Sequence, residues 1–224
     1  MSLRFGILVF PNVQQLDLTG PFEVFALAKG SDVDLIWKDR NPVTSSTGLS
    51  LLPTATFEQH QPYDVLCIPG GGGVNPLLTD QSVLNFVRTQ SKSVRFVTSV
   101  CTGALVLGAA GLLDNRRATT HWYAMDFLER FGATAVDERI VWDENIVTAG
   151  GVTSGIDFGL ALIAHLLGQE EAETIQLTLE YAPAPPFSAG RLADASASTV
   201  ANAKTRLSRS RKEREAIFAN WGRT

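Results

Sequence analysis

Short runs of apolar residues without polar alternation constrain the fold more than any other feature of the sequence. Val65–Ile68 shows the pattern most clearly, because Val, Leu, Cys and Ile would make both faces of a strand apolar. Strands of this kind occur in parallel sheets that helices cover on both sides. Segments with helical spacing alternate with such runs along the chain, and this alternation predicts a doubly wound α/β fold.

The predicted elements follow this alternation. We predict strands at Arg4–Phe10, Asp34–Trp37, Tyr63–Ile68 and Arg95–Val100. We predict helices from Gly20-Pro21 onward and at Ser82–Gln90, Thr102–Gly111, Ser154–Leu167, Glu170–Glu180 and Ala201–Trp221. Ala135–Trp142 and Ile146–Ala149 flank a polar turn, which predicts an antiparallel hairpin. The expected architecture is therefore a mostly parallel sheet with helices on both faces and a small antiparallel hairpin.

Composition and length fit one such domain with an extension. Apolar residues make up 45% of the 224-residue chain and charged residues 19%, as in globular proteins. We expect an α/β domain at 1–190 and a linker with a basic helical extension at 191–224. The extension holds eight Lys and Arg against three Asp and Glu, on an otherwise acidic chain. It lacks a recognisable helix-turn-helix, so we expect a solvated helix or a dimer arm, and no nucleic acid.

Cysteine usage and hydropathy exclude several classes of protein. Cys67 and Cys101 are the two cysteines, and no CxxC or clustered His/Cys spacing accompanies them. We therefore expect neither a metal site nor disulfides, and a reducing, cytoplasmic location. No apolar run approaches the ~20 residues of a membrane span. The segment Met1–Phe10 lacks a small-residue cleavage site, so it predicts a first strand and not a signal peptide.

Cys101 is the strongest candidate for chemistry. It lies between a predicted strand and a predicted helix, with Ser99 two residues before it and Gly103 two after. A sharp strand-to-helix turn needs small flanking residues and presents its central side chain as a nucleophile. The first N–H groups of the helix are expected to favour the thiolate. The alternative is a buried structural cysteine, which is the role we assign to Cys67 in the middle of its strand.

Other candidates lie at the predicted carboxyl ends of strands, where sites of such sheets are found. The run from Pro69 to Gly73 can turn backbone N–H groups inward as an oxyanion nest, or it can be a mobile loop. Asp17 follows the first strand as a turn-capping residue or as a partly desolvated acid and base. His121 can pair with Cys101 or cap the next helix. Gly150 and Val152, before the long apolar helix, are candidates for a wall of the same cleft.

With these residues identified, the chain resembles the DJ-1/PfpI superfamily over nearly its full length, and its isocyanide hydratase branch most. The matching segments are Gln14–Pro21, Ile68–Gly71, Thr98–Gly103, Ala118–Trp122 and Glu180–Phe187. The resemblance implies a flavodoxin-like fold of the DJ-1/PfpI type and, as is usual in the superfamily, a homodimer. Two of the segments are also similar to the sensor domain of AraC-type regulators. Those regulators carry a further DNA-binding region, which we do not expect in a chain ending at Thr224.

Departures from other branches narrow the expected activity. We call the strand-to-helix turn at Cys101 the elbow. PfpI-type proteases and glutamine amidotransferases place a histidine at or near the elbow cysteine, where this chain has Thr102. DJ-1 and its glyoxalase relatives use a glutamate after the first strand, where this chain has Asp17. Both differences argue against peptidase and glyoxalase chemistry.

The resemblance implies hydration of an isocyanide to an N-substituted formamide. In that chemistry Cys101 is the nucleophile, Asp17 is the general acid and base, and no metal or organic cofactor is needed. Thr102 and the amides of Gly71 and Gly72 are expected to stabilise the thiolate and developing charge. Two alternatives remain open: a DJ-1-like redox or stress protein that uses Cys101 oxidation, and a module that senses small molecules without converting them.

Overall fold

The predicted apolar runs form the strands of the central sheet. The computed structural model describes residues 2–221. Its strands are β1 (Leu3–Leu8), β2 (Ser31–Trp37), β3 (Val43–Thr44), β4 (Ser50–Leu51), β5 (Ala55–Thr56), β6 (Val65–Ile68), β7 (Phe96–Val100), β8 (Arg117–Ala118), β9 (Thr134–Ala135), β10 (Ile140–Asp143) and β11 (Ile146–Ala149). Seven of them form one sheet in the order β10-β11-β7-β6-β1-β2-β5. All neighbours in it are parallel except β10 and β11, so the predicted sheet and hairpin are confirmed.

Helices cover both faces of this sheet. They are α1 (Gln15–Leu27), α2 (Val74–Leu77), α3 (Gln81–Gln90), α4 (Gly103–Ala109), α5 (Ser154–Leu167), α6 (Gln169–Thr178) and α7 (Ala197–Ala219), with a 3₁₀ helix at Trp122–Phe131. Val100 on β7 lies against α5. Its neighbour Ser99 faces the opposite side, which it shares with Thr148 on β11. Thr148 accepts a hydrogen bond from the N–H of Thr119, just before the 3₁₀ helix, so this second face is covered as well.

The first helix begins earlier than we predict. It starts at Gln15, and Pro21 therefore lies inside it and not in its first turn. A proline inside a helix removes one N–H and crowds the carbonyl four residues earlier. The helix continues through Pro21 because one of its faces is buried, and most helical stability in proteins comes from such packing. This correction moves Asp17 from a turn into the first turn of α1.

One hairpin strand and several short elements also differ from the prediction. The strand that we expect at Ala135–Trp142 is limited to Ile140–Asp143, whereas the helix Ser154–Leu167 has the predicted bounds. The short β3–β4 and β8–β9 pairs and the 3₁₀ helix are not predicted at all. Strands of two residues are too short to show a period in the sequence.

The described residues fall into two compact units, divided between Leu179 and Glu180. The second unit contains α7, which begins at Ala197 because the hydroxyl of Ser196 accepts the N–H of Thr199 (3.2 Å). Charged pairs at i and i+4 along α7 suit a solvated helix. The domain division 1–190 and 191–224 stays a prediction. Among residues 2–221, every helix is too short or too polar to cross a bilayer.

Candidate active site

Cys101 lies in a strained turn between β7 and α4. Its φ is +56°, in the left-handed region that residues other than glycine rarely adopt. Strain of this kind persists only where the surroundings hold it, and it is common at functional sites. The N–H of Cys101 donates to the carbonyl of Ala149 (2.9 Å), and the hydroxyl of Thr120 donates to the carbonyl of Cys101 (2.7 Å). The strand-turn-helix geometry that the spacing predicts is therefore present.

Close backbone packing explains the small residue after the elbow. A Cβ atom at Gly103 would lie 2.0 Å from the carbonyl oxygen of Ile68, at the end of β6. Only glycine at this position lets α4 start against the neighbouring strand. The elbow is consequently brought next to the glycine loop that follows Ile68.

Asp17 is completely buried beside this elbow. Its Oδ2 accepts the N–H of Gly70 (3.0 Å). A Cβ atom at Gly70 would lie 2.7 Å from that oxygen and 2.6 Å from the amide nitrogen of Thr102, so a side chain cannot fit there. Burial raises the pKa of Asp17 to about 7, against the lowering effect of the Cys101 thiol and the Gly70 N–H. The carboxyl can therefore both give and take a proton near neutral pH.

The thiol of Cys101 and the carboxyl of Asp17 act on each other. Burial, and next the negative charge of Asp17, raise the pKa of Cys101 well above its usual value of 9. The N–H and hydroxyl of Thr102 lower it, as expected of a helix start, but they do not outweigh burial. Burial therefore opposes the thiolate that the helix start favours, and Asp17, beside the sulfur, can accept the thiol proton.

Gly71 and Gly72, which we expect to play the same part, lie differently relative to the sulfur of Cys101. The N–H of Gly71 donates to Oγ1 of Thr102 (3.0 Å), so Gly71 orients the hydroxyl that contacts the sulfur. Gly72 is exposed, and a Cβ atom there would meet nothing within 4 Å. Thr102 thus contacts the sulfur, Gly71 reaches it only through the Thr102 hydroxyl, and Gly72 lies on the open side of the loop.

His121, Gly150 and Val152 belong to the segments that border the elbow. His121 caps the 3₁₀ helix, because its Nδ1 accepts the N–H of Tyr123 (3.3 Å). A Cβ atom at Gly151 would lie 3.9 Å from the imidazole of His121, so the histidine borders this glycine pair. Gly150 is buried with its N–H on the carbonyl of Arg139, and Val152 is half-buried before α5. Of the two roles left open for His121, the cap is the one that its hydrogen bond supports.

Sequence reasoning did not give the roles of two residues that shape the site. Gly70 binds Asp17, and Thr120 binds the elbow carbonyl. Both stand in the segments that carry the family resemblance, which was the available signal, but their roles depend on contacts with distant segments. Among residues 2–221, no group of three or more His, Cys, Asp or Glu is placed to hold a metal ion.

The family model of DJ-1/PfpI matches residues 4–165. The chain belongs to the DJ-1/PfpI family. A curated relative, the isonitrile hydratase of Pseudomonas putida, is 54% identical over 217 residues, which cover 97% of this chain and 95% of that protein. A solved THiJ/PfpI family protein from Pseudomonas syringae superposes with a TM-score of 0.93 at 38% identity, covering 97% of this chain and 91% of that one. The flavodoxin-like fold of the DJ-1/PfpI type is thereby confirmed.

A third DJ-1/PfpI relative belongs to another functional class. An HTH-type transcriptional regulator of Pseudomonas aeruginosa is 31% identical over 180 residues, which cover 77% of this chain and 53% of the regulator. A similarity to a transcriptional regulator is therefore present. It extends over about half of the regulator's length.

Replacing Asp17 by Asn tests the burial of the carboxyl through stability. A folded-state pKa raised from 3.8 to about 7 means that ionisation destabilises the fold, by up to about 4 kcal/mol. This cost is absent below pH 4, grows as the pH rises from about 4 to about 7 and is complete above it. We expect the Tm of Asp17→Asn, relative to wild type, to increase between pH 5 and pH 8. An equal difference at both pH values would contradict the raised pKa.

Alkylation distinguishes the two cysteines. Cys67 is completely buried in β6 with its pKa raised to about 12, mainly by burial, whereas Cys101 lies at the strand end with Asp17 as proton acceptor. Thiolate is the reacting form, so iodoacetamide should label Cys101 much faster at pH 8. Peptide mapping after brief alkylation measures both sites, and faster labelling of Cys67 would remove Cys101 as the nucleophile.

Proposed function

We propose that this protein hydrates isocyanides to N-substituted formamides through a covalent bond to Cys101, with Asp17 as general acid and base. The observation that carries the proposal is the buried pair itself: a carboxyl with a pKa of about 7 beside a thiol at a strained elbow. Such a pair supplies a nucleophile and a proton in the same place. The 54% identity to an isonitrile hydratase over nearly the whole of both chains supports the substrate class.

The first step forms the bond to sulfur. The thiol of Cys101 passes its proton to the carboxylate of Asp17, and the resulting thiolate attacks the terminal carbon of R–N≡C. Asp17 returns the proton to that same carbon as the C–S bond forms. The product is a thioimidate, R–N=CH–S–Cys101, and Asp17 is left ionised. Because the proton arrives with the bond, no free carbanion has to be stabilised.

The second step adds water and releases the product. Asp17 takes a proton from water as the water oxygen adds to the thioimidate carbon, and it hands that proton to the nitrogen. The adduct is R–NH–CH(OH)–S–Cys101. Its hydroxyl proton then passes to Asp17 while the C–S bond breaks, giving R–NH–CHO and the thiolate. The pair ends with the single proton with which it began, so the cycle balances.

The remaining candidate residues stabilise and enclose this chemistry in our proposal. The N–H and hydroxyl of Thr102 stabilise the departing thiolate, and Gly71 orients that hydroxyl. Gly72, Gly150, Val152 and His121 are proposed to border the substrate. An isocyanide carries no net charge and no polar hydrogen, which suits a site bounded by backbone and by half-buried side chains. No organic cofactor or metal takes part in these steps.

A ligand-sensing role is the second candidate, and the similarity to an HTH-type regulator favours it. A sensor would bind a small molecule without releasing product, whereas a hydratase releases formamide in many turnovers. We also propose a cytoplasmic homodimer without nucleic-acid or membrane partners, on the ground that homodimers are usual in the superfamily. A redox protein would instead form a reversible sulfenic acid at Cys101 without turnover.

Steady-state hydration of p-nitrophenyl isocyanide by wild type, Asp17→Asn and Asp17→Glu tests the proposal. The amide keeps the shape of the carboxyl and can accept the Gly70 N–H, but it cannot exchange a proton. General acid–base groups contribute about 10²–10⁴-fold, so Asp17→Asn should lose at least about a hundredfold in kcat. Asp17→Glu should lose less, because its carboxyl is displaced by about an ångström but still titrates.

Thermal melts confirm that each variant folds. Absence of turnover by wild type would contradict the hydratase function and favour the sensor or redox role. Near wild-type turnover by Asp17→Asn would remove Asp17 from the mechanism and leave the reaction class intact.

A further inference from the structure

Helices α1 and α5 approach each other through residues that lack side chains. A Cβ atom at Gly155 would lie 3.0 Å from Cδ of Pro21, and one at Gly159 would lie 3.0 Å from Cβ of Val24. A Cβ atom at Gly20 would lie 3.2 Å from Cγ1 of Ile156. Each separation is tighter than ordinary van der Waals contact. The distance between the two helices is thus set by glycine at successive turns.

The contact at Gly155 lies one helical turn from Asp17. Pro21 follows Asp17 by four residues, and it has no N–H to donate to the Asp17 carbonyl. The turn that carries the carboxyl therefore lacks the helical hydrogen bond that would fix it from within α1. The Gly70 N–H holds the carboxyl itself, and packing of Pro21 against α5 supports the next turn of the helix.

Gly155 also touches the strand that leads to the nucleophile. A Cβ atom there would lie 3.5 Å from Cγ1 and 3.6 Å from Cγ2 of Val100, the residue before Cys101. Gly155 is consequently wedged between the turn that holds the acid and the residue that precedes the thiol. At Gly159, one turn further along α5, the three atoms nearest to an added Cβ all belong to Val24.

We propose that Gly155 is a positioning residue: its missing side chain sets the separation between the carboxyl of Asp17 and the sulfur of Cys101. This inference rests on the proposed hydratase function. An added methyl group would push Pro21, and with it the Asp17 turn, away from the elbow by a few tenths of an ångström. Proton transfer between two buried groups is sensitive to displacements of that size.

Gly155→Ala and Gly159→Ala form a matched pair for the test. Both add one methyl group to α5 against a contact of 3.0 Å on α1. We expect Gly155→Ala to lower kcat for p-nitrophenyl isocyanide at least about tenfold with KM changed less than about threefold. Gly159→Ala should keep kcat within about twofold of wild type. Equal effects of the two variants, whether both large or both absent, would overturn the positioning role.

The pH dependence of alkylation gives a second readout that does not need turnover. In wild type the alkylation rate of Cys101 should first rise near pH 7, as the pair loses its first proton. Besides Cys101, the buried thiol of Cys67 is close enough for its pKa to be raised by Asp17, but it stays protonated in this range. A changed separation between Asp17 and Cys101 should shift the pH of this rise in Gly155→Ala and leave that of Gly159→Ala in place.

Turnover and alkylation together distinguish a failure of the proposed function from a failure of the positioning role. If wild type hydrates no isocyanide but the alkylation profiles differ as expected, the proposed function fails and the positioning role stands. If wild type turns over and the profiles coincide, the positioning role fails alone. Should Gly155→Ala not fold, Pro21→Ala releases the same contact from the α1 side, and it should also lower kcat with little change in KM. Wild-type kinetics in that variant would contradict the role of this contact.

Discussion

A single proton held between a buried carboxyl and a buried thiol is the interaction on which the rest of this site depends. Burial raises the pKa of both Asp17 and Cys101, so neither ionises as it would in water. The negative charge of one also opposes ionisation of the other. From neutral pH upward the pair therefore keeps one proton and can move it between oxygen, sulfur and a bound carbon.

Holding the pair together costs conformational energy that backbone contacts offset. The left-handed conformation of Cys101 alone costs about 1–3 kcal/mol, and hydrogen bonds with Ala149 and Thr120 maintain it. Side chains at Gly70 or Gly103 would collide with the neighbouring segment. The glycines near the elbow are thus explained by close approach of chain segments and not by loop mobility.

The sequence predicts the sheet and the elbow because both leave local signals: apolar runs such as Val65–Ile68, and small residues on either side of Cys101. It does not predict that Asp17 is completely buried, because its contacts are with Gly70 and Cys101, far along the chain. Pro21 led us to predict the helix start too late for a similar reason. Local preference places proline in a first turn, and only tertiary packing lets α1 continue through it. The local pattern also does not show that burial opposes the thiolate that the helix start favours.

Rapid quenching during turnover, followed by peptide mass spectrometry, measures whether the substrate becomes attached to the protein. Hydration through a thioimidate requires wild type to carry an adduct with the mass of the isocyanide on the peptide that contains Cys101. The adduct should form and decay as formamide appears, and Cys101→Ser should show neither adduct nor turnover. Formamide production at the wild-type rate without an adduct, or with the adduct on another residue, would contradict covalent catalysis by Cys101.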